Sequence, residues 1–225
     1  MIGVYGPRSL VETEGKRILI DCGPDFRWQM ITNKIYHFDA VLVTHEHYDH
    51  VGGLDDLRPF GRYKDVDIYA EDNVVEAIKT RIPYVFREHK YPGVPNLVLH
   101  TIGTKPFEAA GVMITPIRVM HAKLPILGFR IGNMAYLTDL KYLPEEEYAK
   151  LEGLDVLILT ALRREPTLRM NRWKKPLLIS KDKTEGNLSD PHESSHWSAC
   201  GGREGVAASC PSGLRRITRF YRLVS

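Results

Sequence analysis

The stretch Thr44-His-Glu-His-Tyr-Asp-His-Val-Gly-Gly53 decides the reading of this chain, and it follows directly on the apolar run Asp39-Ala-Val-Leu-Val-Thr44. A short, β-branched apolar run of this kind reads as a buried strand. His45 and His47 stand two apart, so in an extended segment they face the same side. Asp49 and His50 follow as the chain turns, and Gly52-Gly53 free the backbone for a tight lead into the next helix. Imidazole nitrogens with a carboxylate are the donor set of zinc, and of manganese or iron where oxygen ligands weigh more. The competing reading is a polar loop that happens to hold histidines. Four ligand-type residues within six positions at a strand end favour the metal site. The chemistry this implies is metal-dependent hydrolysis.

Outward from the motif, strands and helices alternate from about residue 16 to 161. Strands are expected at 16–21, 39–44, 66–70, 96–100, 112–119, 127–132, 134–138 and 155–161. Helices are expected at 25–33 (Phe26, Met30 and Ile31 on one face), 54–60, 73–81 and 145–151, the first and last opened by Pro24 and Pro144. No internal repeat or low-complexity linker divides them, so one mixed α/β domain over 1–225 is the simplest reading. Two further ligand-type residues end strands of this set, His121 and Asp139. A metal pair needs additional donors and a bridging carboxylate. His121 is therefore expected to join His45 and His47 on one metal, and Asp139 to bridge to a second held by Asp49 and His50. Asp21, at the end of the first expected strand, is a candidate acceptor for a ligating histidine's other N–H, or an ordinary strand-end aspartate. His37, His89 and His100 have no such company and read as ordinary structure or surface.

Composition bounds the rest. A chain of 225 residues suits one α/β domain with a sizeable core. Three cysteines without repeated spacing argue against a disulfide framework. No signal peptide opens the sequence and no apolar run reaches membrane-spanning length, so a cytoplasmic protein without a membrane partner is expected. The net charge of +3 is uneven: residues 163–225 hold 13 Lys+Arg against 6 Asp+Glu, a balance of +7 that leaves the remainder at −4.

The motif His45-x-His47-x-Asp49-His50 resembles the signature of the metallo-β-lactamase superfamily. The segments Asp21-Cys-Gly-Pro-Asp-Phe-Arg27 and Gly53-Leu-Asp-Asp-Leu-Arg-Pro-Phe60 narrow the likeness to the branch of phosphoribosyl cyclic phosphate phosphodiesterases, near the tRNA-processing endonucleases. The resemblance covers 9–166. It implies an αββα sandwich, two divalent metal ions (zinc or manganese, iron as an alternative), and hydrolysis of cyclic or nucleotide-type phosphodiesters by a metal-bridging hydroxide. Asp49 would be a ligand that also orients the nucleophile, and homodimerisation would suit the family. Arg58 either contacts substrate phosphate or pairs with Asp55 or Asp56. Alternatives are another hydrolase of the superfamily (thioester, lactone or β-lactam), an RNA-processing nuclease, or a metal-binding module without catalysis. The expected partner is a small phosphodiester; the basic tail does not by itself support nucleic acid.

Both ends depart from the family pattern, so the fold is expected to be incomplete there. A final Thr-His-x-x-His segment, and a histidine soon after Arg164-Glu-Pro166 to serve as leaving-group acid, are absent in frame. Back-translating 180–207 with permitted codons and shifting by one nucleotide can restore a strand and the missing histidine motif. Shifting 166–177 by two can give a histidine pair and an amphipathic helix, and 1–8 responds similarly. Residues 167–225 therefore read as an atypical, out-of-frame tail, in which His192 and His196 sit in foreign context, and the chain as written is expected to be impaired.

Overall fold

The computed structural model describes residues 9–61, 64–90 and 92–159, together with the backbone of Leu177–Ser180, Ser198–Cys200 and Leu214–Arg219. His192, His196 and the Arg164–Pro166 segment lie outside the described residues. The chain divides into two compact units, 1–116 with 204–225, and 117–203.

The first unit is built on a six-stranded sheet. Its strands are β1 (Ser9–Thr13), β2 (Lys16–Ile20), β3 (Ala40–Leu42), β4 (Val66–Ala70) and β5 (Leu97–Thr101), with Leu214–Arg219 on the far edge of β1. β1 and β2 form an antiparallel hairpin, whereas β2, β3, β4 and β5 run parallel in that order. Parallel strands are covered on both faces, which is why Ala40, Val41 and Leu42 are all fully buried rather than alternating. Leu19, Val41, Val43, Ile68 and Val74 share one core, each such side chain stabilising the fold by roughly 1.5–3 kcal/mol. Because three parallel strands end side by side, the segments leaving β2 and β3 emerge together. Asp21 N donates to Leu42 O at 2.8 Å, and Val43 N to Tyr69 O at 2.9 Å.

Helix α1 (Phe26–Thr32) lies where the sequence placed it, but its buried face is Phe26, Gln29 and Met30. Ile31, expected on that face, is 60% exposed, being one step of about 100° past Met30. The four-residue α2 (Tyr48–Val51) and the ten-residue α3 (Asp72–Arg81) follow. The helix expected at 54–60 is a 3-10 helix over Leu54–Leu57, and the one at 145–151 is a 3-10 helix over Glu145–Leu151. The latter turns Glu147 inward, where its carboxylate accepts the Arg118 N–H at 2.8 Å and pairs with Lys150.

The second sheet comprises β6 (Phe107–Ala109), β7 (Val112–His121), β8 (Leu124–Ile131), β9 (Met134–Leu137) and β10 (Val156–Leu159), extended by Leu177–Ser180 and Ser198–Cys200. It is antiparallel except for β9 against β10. In the second unit Ile117, Val119, Ile126, Leu137 and Leu154 form a separate core. Met120 bridges Tyr142 at the end of β7, which sets His121 beside the turn that follows β9. No helix among the described residues is long and apolar enough to cross a membrane.

Candidate metal centre

Two aspartates that the sequence placed at strand ends have left-handed backbone, Asp21 at φ 63° and Asp139 at φ 49°. Non-glycine residues pay for this conformation, and aspartate is among the few that adopt it at all readily. At position 21 it turns a carboxylate back over the neighbouring strand end. Asp21 is fully buried, and its oxygens accept the Thr44 N–H at 2.9 Å and the His50 Nδ1–H at 2.8 Å. The Thr44 hydroxyl lies 3.0 Å from both carboxylate oxygens and 3.0 Å from His45 Nδ1.

This network fixes both buried imidazoles. A carboxylate only accepts, so His50 carries its proton on Nδ1 and keeps Nε2 as the lone-pair nitrogen. His45 is set likewise through a relay, its Nδ1–H donating to Thr44 Oγ1 while the hydroxyl donates to Asp21. One buried carboxylate thus orients two rings whose centroids are 4.0 Å apart. Thr44 was not assigned a role from sequence. The available signal was a hydroxyl residue ending the motif strand, immediately before the first histidine.

The other half of the motif is open to solvent. His47 is exposed, and the Asp49 side chain is 56% exposed. His47 Nδ1 is 3.0 Å from His45 Nε2, and Asp49 Oδ2 is 3.4 Å from His50 Nε2. When the His50 ring is protonated, its hydrogen bond and then its charge, opposed by burial, hold the Asp49 carboxyl down to about 2 from its ordinary 3.8. Donor atoms at the vertices of a zinc tetrahedron, with bonds of about 2.0–2.1 Å, lie about 3.3 Å apart. The two donor pairs span that value, and the buried imidazoles present lone pairs, so the residues fit a divalent cation.

The two motif glycines are required by close approach rather than by turn conformation, since Gly52 and Gly53 have φ −65° and −97°. A Cβ at Gly53 would collide with the Gly23 carbonyl oxygen, and one at Gly52 would lie 2.8 Å from the Tyr48 ring. Gly53 N donates to Cys22 O at 2.8 Å and Cys22 N to His50 O at 2.7 Å, stitching the motif to the end of β2.

In the second unit His121 is half-buried and its Nδ1–H donates to the Asp139 carbonyl at 3.0 Å, leaving Nε2 as the lone-pair nitrogen; the Asp139 side chain is buried. Arg58 makes a bidentate pair with Asp55 at 2.9–3.2 Å, and the Tyr84 hydroxyl donates to the same carboxylate. Of the two readings of Arg58, the ion pair with Asp55 is the one present. Arg58 also borders an apolar cavity of about 340 Å³ that Phe26, Met30, Ile35 and Phe60 help to line. His100 pairs with Asp67 at 2.7 Å, and His37 lies 3.7 Å from Asp39.

The comparisons with known proteins agree with this architecture. The family model of the β-lactamase superfamily domain matches residues 16–208. A curated octanoyltransferase of Porphyromonas gingivalis is 48% identical over 155 residues, which are 68% of this chain and 32% of that protein. A ribonuclease Z of Metallosphaera sedula is 30% identical over 129 residues, 56% of this chain and 42% of that one. A solved structure of a diphosphatase from the PhnP family superposes with a TM-score of 0.66 at 33% identity, covering 74% of this chain and 64% of that one. The chain belongs to the metallo-β-lactamase superfamily of hydrolases. It spans about a third of the length of the octanoyltransferase and just under two thirds of the diphosphatase.

Proposed function

We propose that this protein hydrolyses phosphodiesters of the cyclic or nucleotide kind with the help of two divalent metal ions, zinc or manganese in preference to iron. The observation that carries the reading is the Asp21–Thr44 network, which presents the His45 and His50 Nε2 lone pairs before any metal arrives. His45, His47 and His121 are proposed as donors to one ion, Asp49 and His50 to the other, with Asp139 bridging. His121 and Asp139 enter on the family pattern and on their strand-end positions. Bound there, the cations neutralise charge on phosphoryl oxygens and make water a better nucleophile at neutral pH. Asp49, ionised at any working pH, orients the attacking water. The phosphodiester reading over a thioester, lactone or β-lactam rests on the likeness to a diphosphatase and to ribonucleases. A cytoplasmic site of action and a homodimer accompany it as proposals.

The test is turnover of bis-p-nitrophenyl phosphate against a thioester and a cephalosporin, with zinc or manganese added. Phosphodiester turnover abolished by chelation is expected; thioester or cephalosporin turnover without it overturns the reading. The absence of the expected final histidine motif after Pro166, within a span the family model matches to residue 208, is proposed to result from a change of reading frame. Reads of the source DNA across 8–9, 166–167 and 177–181 decide it, and a confirmed frame as written sinks that proposal. The frame-restored protein is expected to turn over faster than this chain.

A further inference from the structure

Tyr48 lies between His47 and Asp49, yet its side chain points into solvent and is 60% exposed. The ring is nevertheless held in place. It folds along α2 onto Gly52, where a Cβ would come within 2.8–2.9 Å of its atoms. Arg81, the last residue of α3, stands over the ring with its guanidinium carbon 5.5 Å from the centroid. The Arg81 Nη2–H donates to the Glu46 carbonyl at 3.3 Å, so the cation is anchored to the histidine motif itself. An aromatic ring is thereby fixed beside His47 and Asp49, with a planar cation against it.

Neither side chain is needed to hold a metal, and both are exposed, so their arrangement is not explained by core packing. Fixed aromatic rings and guanidinium planes are the surfaces on which unpaired nucleobases stack, without selecting one base over another. Building on the phosphodiesterase reading, we infer that Tyr48 and Arg81 form a base-stacking shelf beside the metal centre. The diester hydrolysed therefore carries a nucleobase next to the scissile phosphate, unlike a base-free sugar cyclic phosphate. Arg81 pre-orders the ring and adds positive charge on the side from which an anionic nucleotide approaches.

Binding measured by calorimetry on the zinc-reconstituted chain tests this, with adenosine 5′-monophosphate and ribose 5-phosphate as probes. The two ligands share sugar and phosphate and differ in the base. The wild-type protein should prefer the nucleotide, and Tyr48→Leu, which keeps apolar bulk but removes the π face, should lower that preference by about 5- to 150-fold. Tyr48→Trp should preserve it, and Arg81→Gln should give an intermediate loss. A wild-type protein without nucleotide preference, or a preference that survives Tyr48→Leu, overturns the inference. Turnover of bis-p-nitrophenyl phosphate in the same samples separates the two proposals. Turnover without base preference sinks only the shelf, and base preference without turnover sinks only the hydrolytic reading.

Discussion

The ten residues from Thr44 to Gly53 contain two unlike halves. Thr44, His45 and His50 are buried in one hydrogen-bond network with Asp21, whereas His47, Tyr48 and Asp49 face solvent. The buried donors are aimed by protein hydrogen bonds, so their orientation precedes the metal. The exposed donors meet the buried rings from the solvent side, His47 Nδ1 at 3.0 Å from His45 Nε2 and Asp49 Oδ2 at 3.4 Å from His50 Nε2. In the proposed metal site, such a division would keep an opening for substrate on the exposed side while lowering the ordering cost of ligation on the buried one.

The comparison breaks most visibly at Asp21. Asp21→Ala removes the acceptor of the Thr44 N–H, the Thr44 hydroxyl and His50 Nδ1 in a site closed to water. At about 1–3 kcal/mol for each stranded group, the metal-free protein should lose on the order of 10 °C or more in Tm. An unchanged melting curve would show that the network does not orient the motif. His47→Ala and Asp49→Asn should behave oppositely. Their metal-free stability should stay within about 0.5 kcal/mol of wild type. Zinc affinity, measured by competition with a chelator, should fall by at least the 10- to 100-fold typical of losing an outer contact. Equal destabilisation by His47→Ala and His45→Ala in the absence of metal would erase the distinction between the halves.

Thr44→Val sharpens the comparison from the buried side. It cuts the relay from Asp21 to His45 while leaving the direct bond to His50. A cost of about 1 kcal/mol in stability and about 10- to 100-fold in zinc affinity is expected, read by thermal melting and chelator competition. The smallest effect concerns acid. Asp49 is lowered to about 2 in the folded chain against its ordinary 3.8. Its stabilising contribution is therefore complete above about pH 5 and fades as pH falls from about 3.8 towards 2. Because the carboxylate is more than half exposed, solvent screening keeps the contribution small. Melting profiles of wild type and Asp49→Asn should run parallel at neutral pH and converge in acid. A gap that persists undiminished below about pH 3 would contradict the lowered value.

Local pattern made much of this legible. Apolar, β-branched runs announced β2, β3, β4 and β10, and β3, inside the parallel part of its sheet, is buried along its whole length. The ligand types and their spacing marked the motif, and Asp21 was recognisable as a candidate acceptor for a ligating histidine. Short helices show where local pattern stops. Ile31 was assigned to the buried face of α1 and is exposed, whereas the helices read at 54–60 and 145–151 are present as 3-10 helices at Leu54–Leu57 and Glu145–Leu151. Periodicity itself carries Ile31 past the buried face, whereas Glu145–Leu151 turns Glu147 inward to accept the Arg118 N–H.

The sequence alone determined that a strand ends in a histidine-rich motif, and which residue types there are available as donors. Only the tertiary structure decided which donors are buried, which ring nitrogens carry protons, and that Thr44 links Asp21 to His45. It alone brought Arg81 from the end of α3 over Tyr48, 33 residues away in the chain. The reason is physical. Hydrogen bonds and ring contacts depend on differences of a few tenths of an ångström between residues separated by many positions. Those separations are set by the register of β2 against β3 and of β3 against β4, which no local pattern encodes.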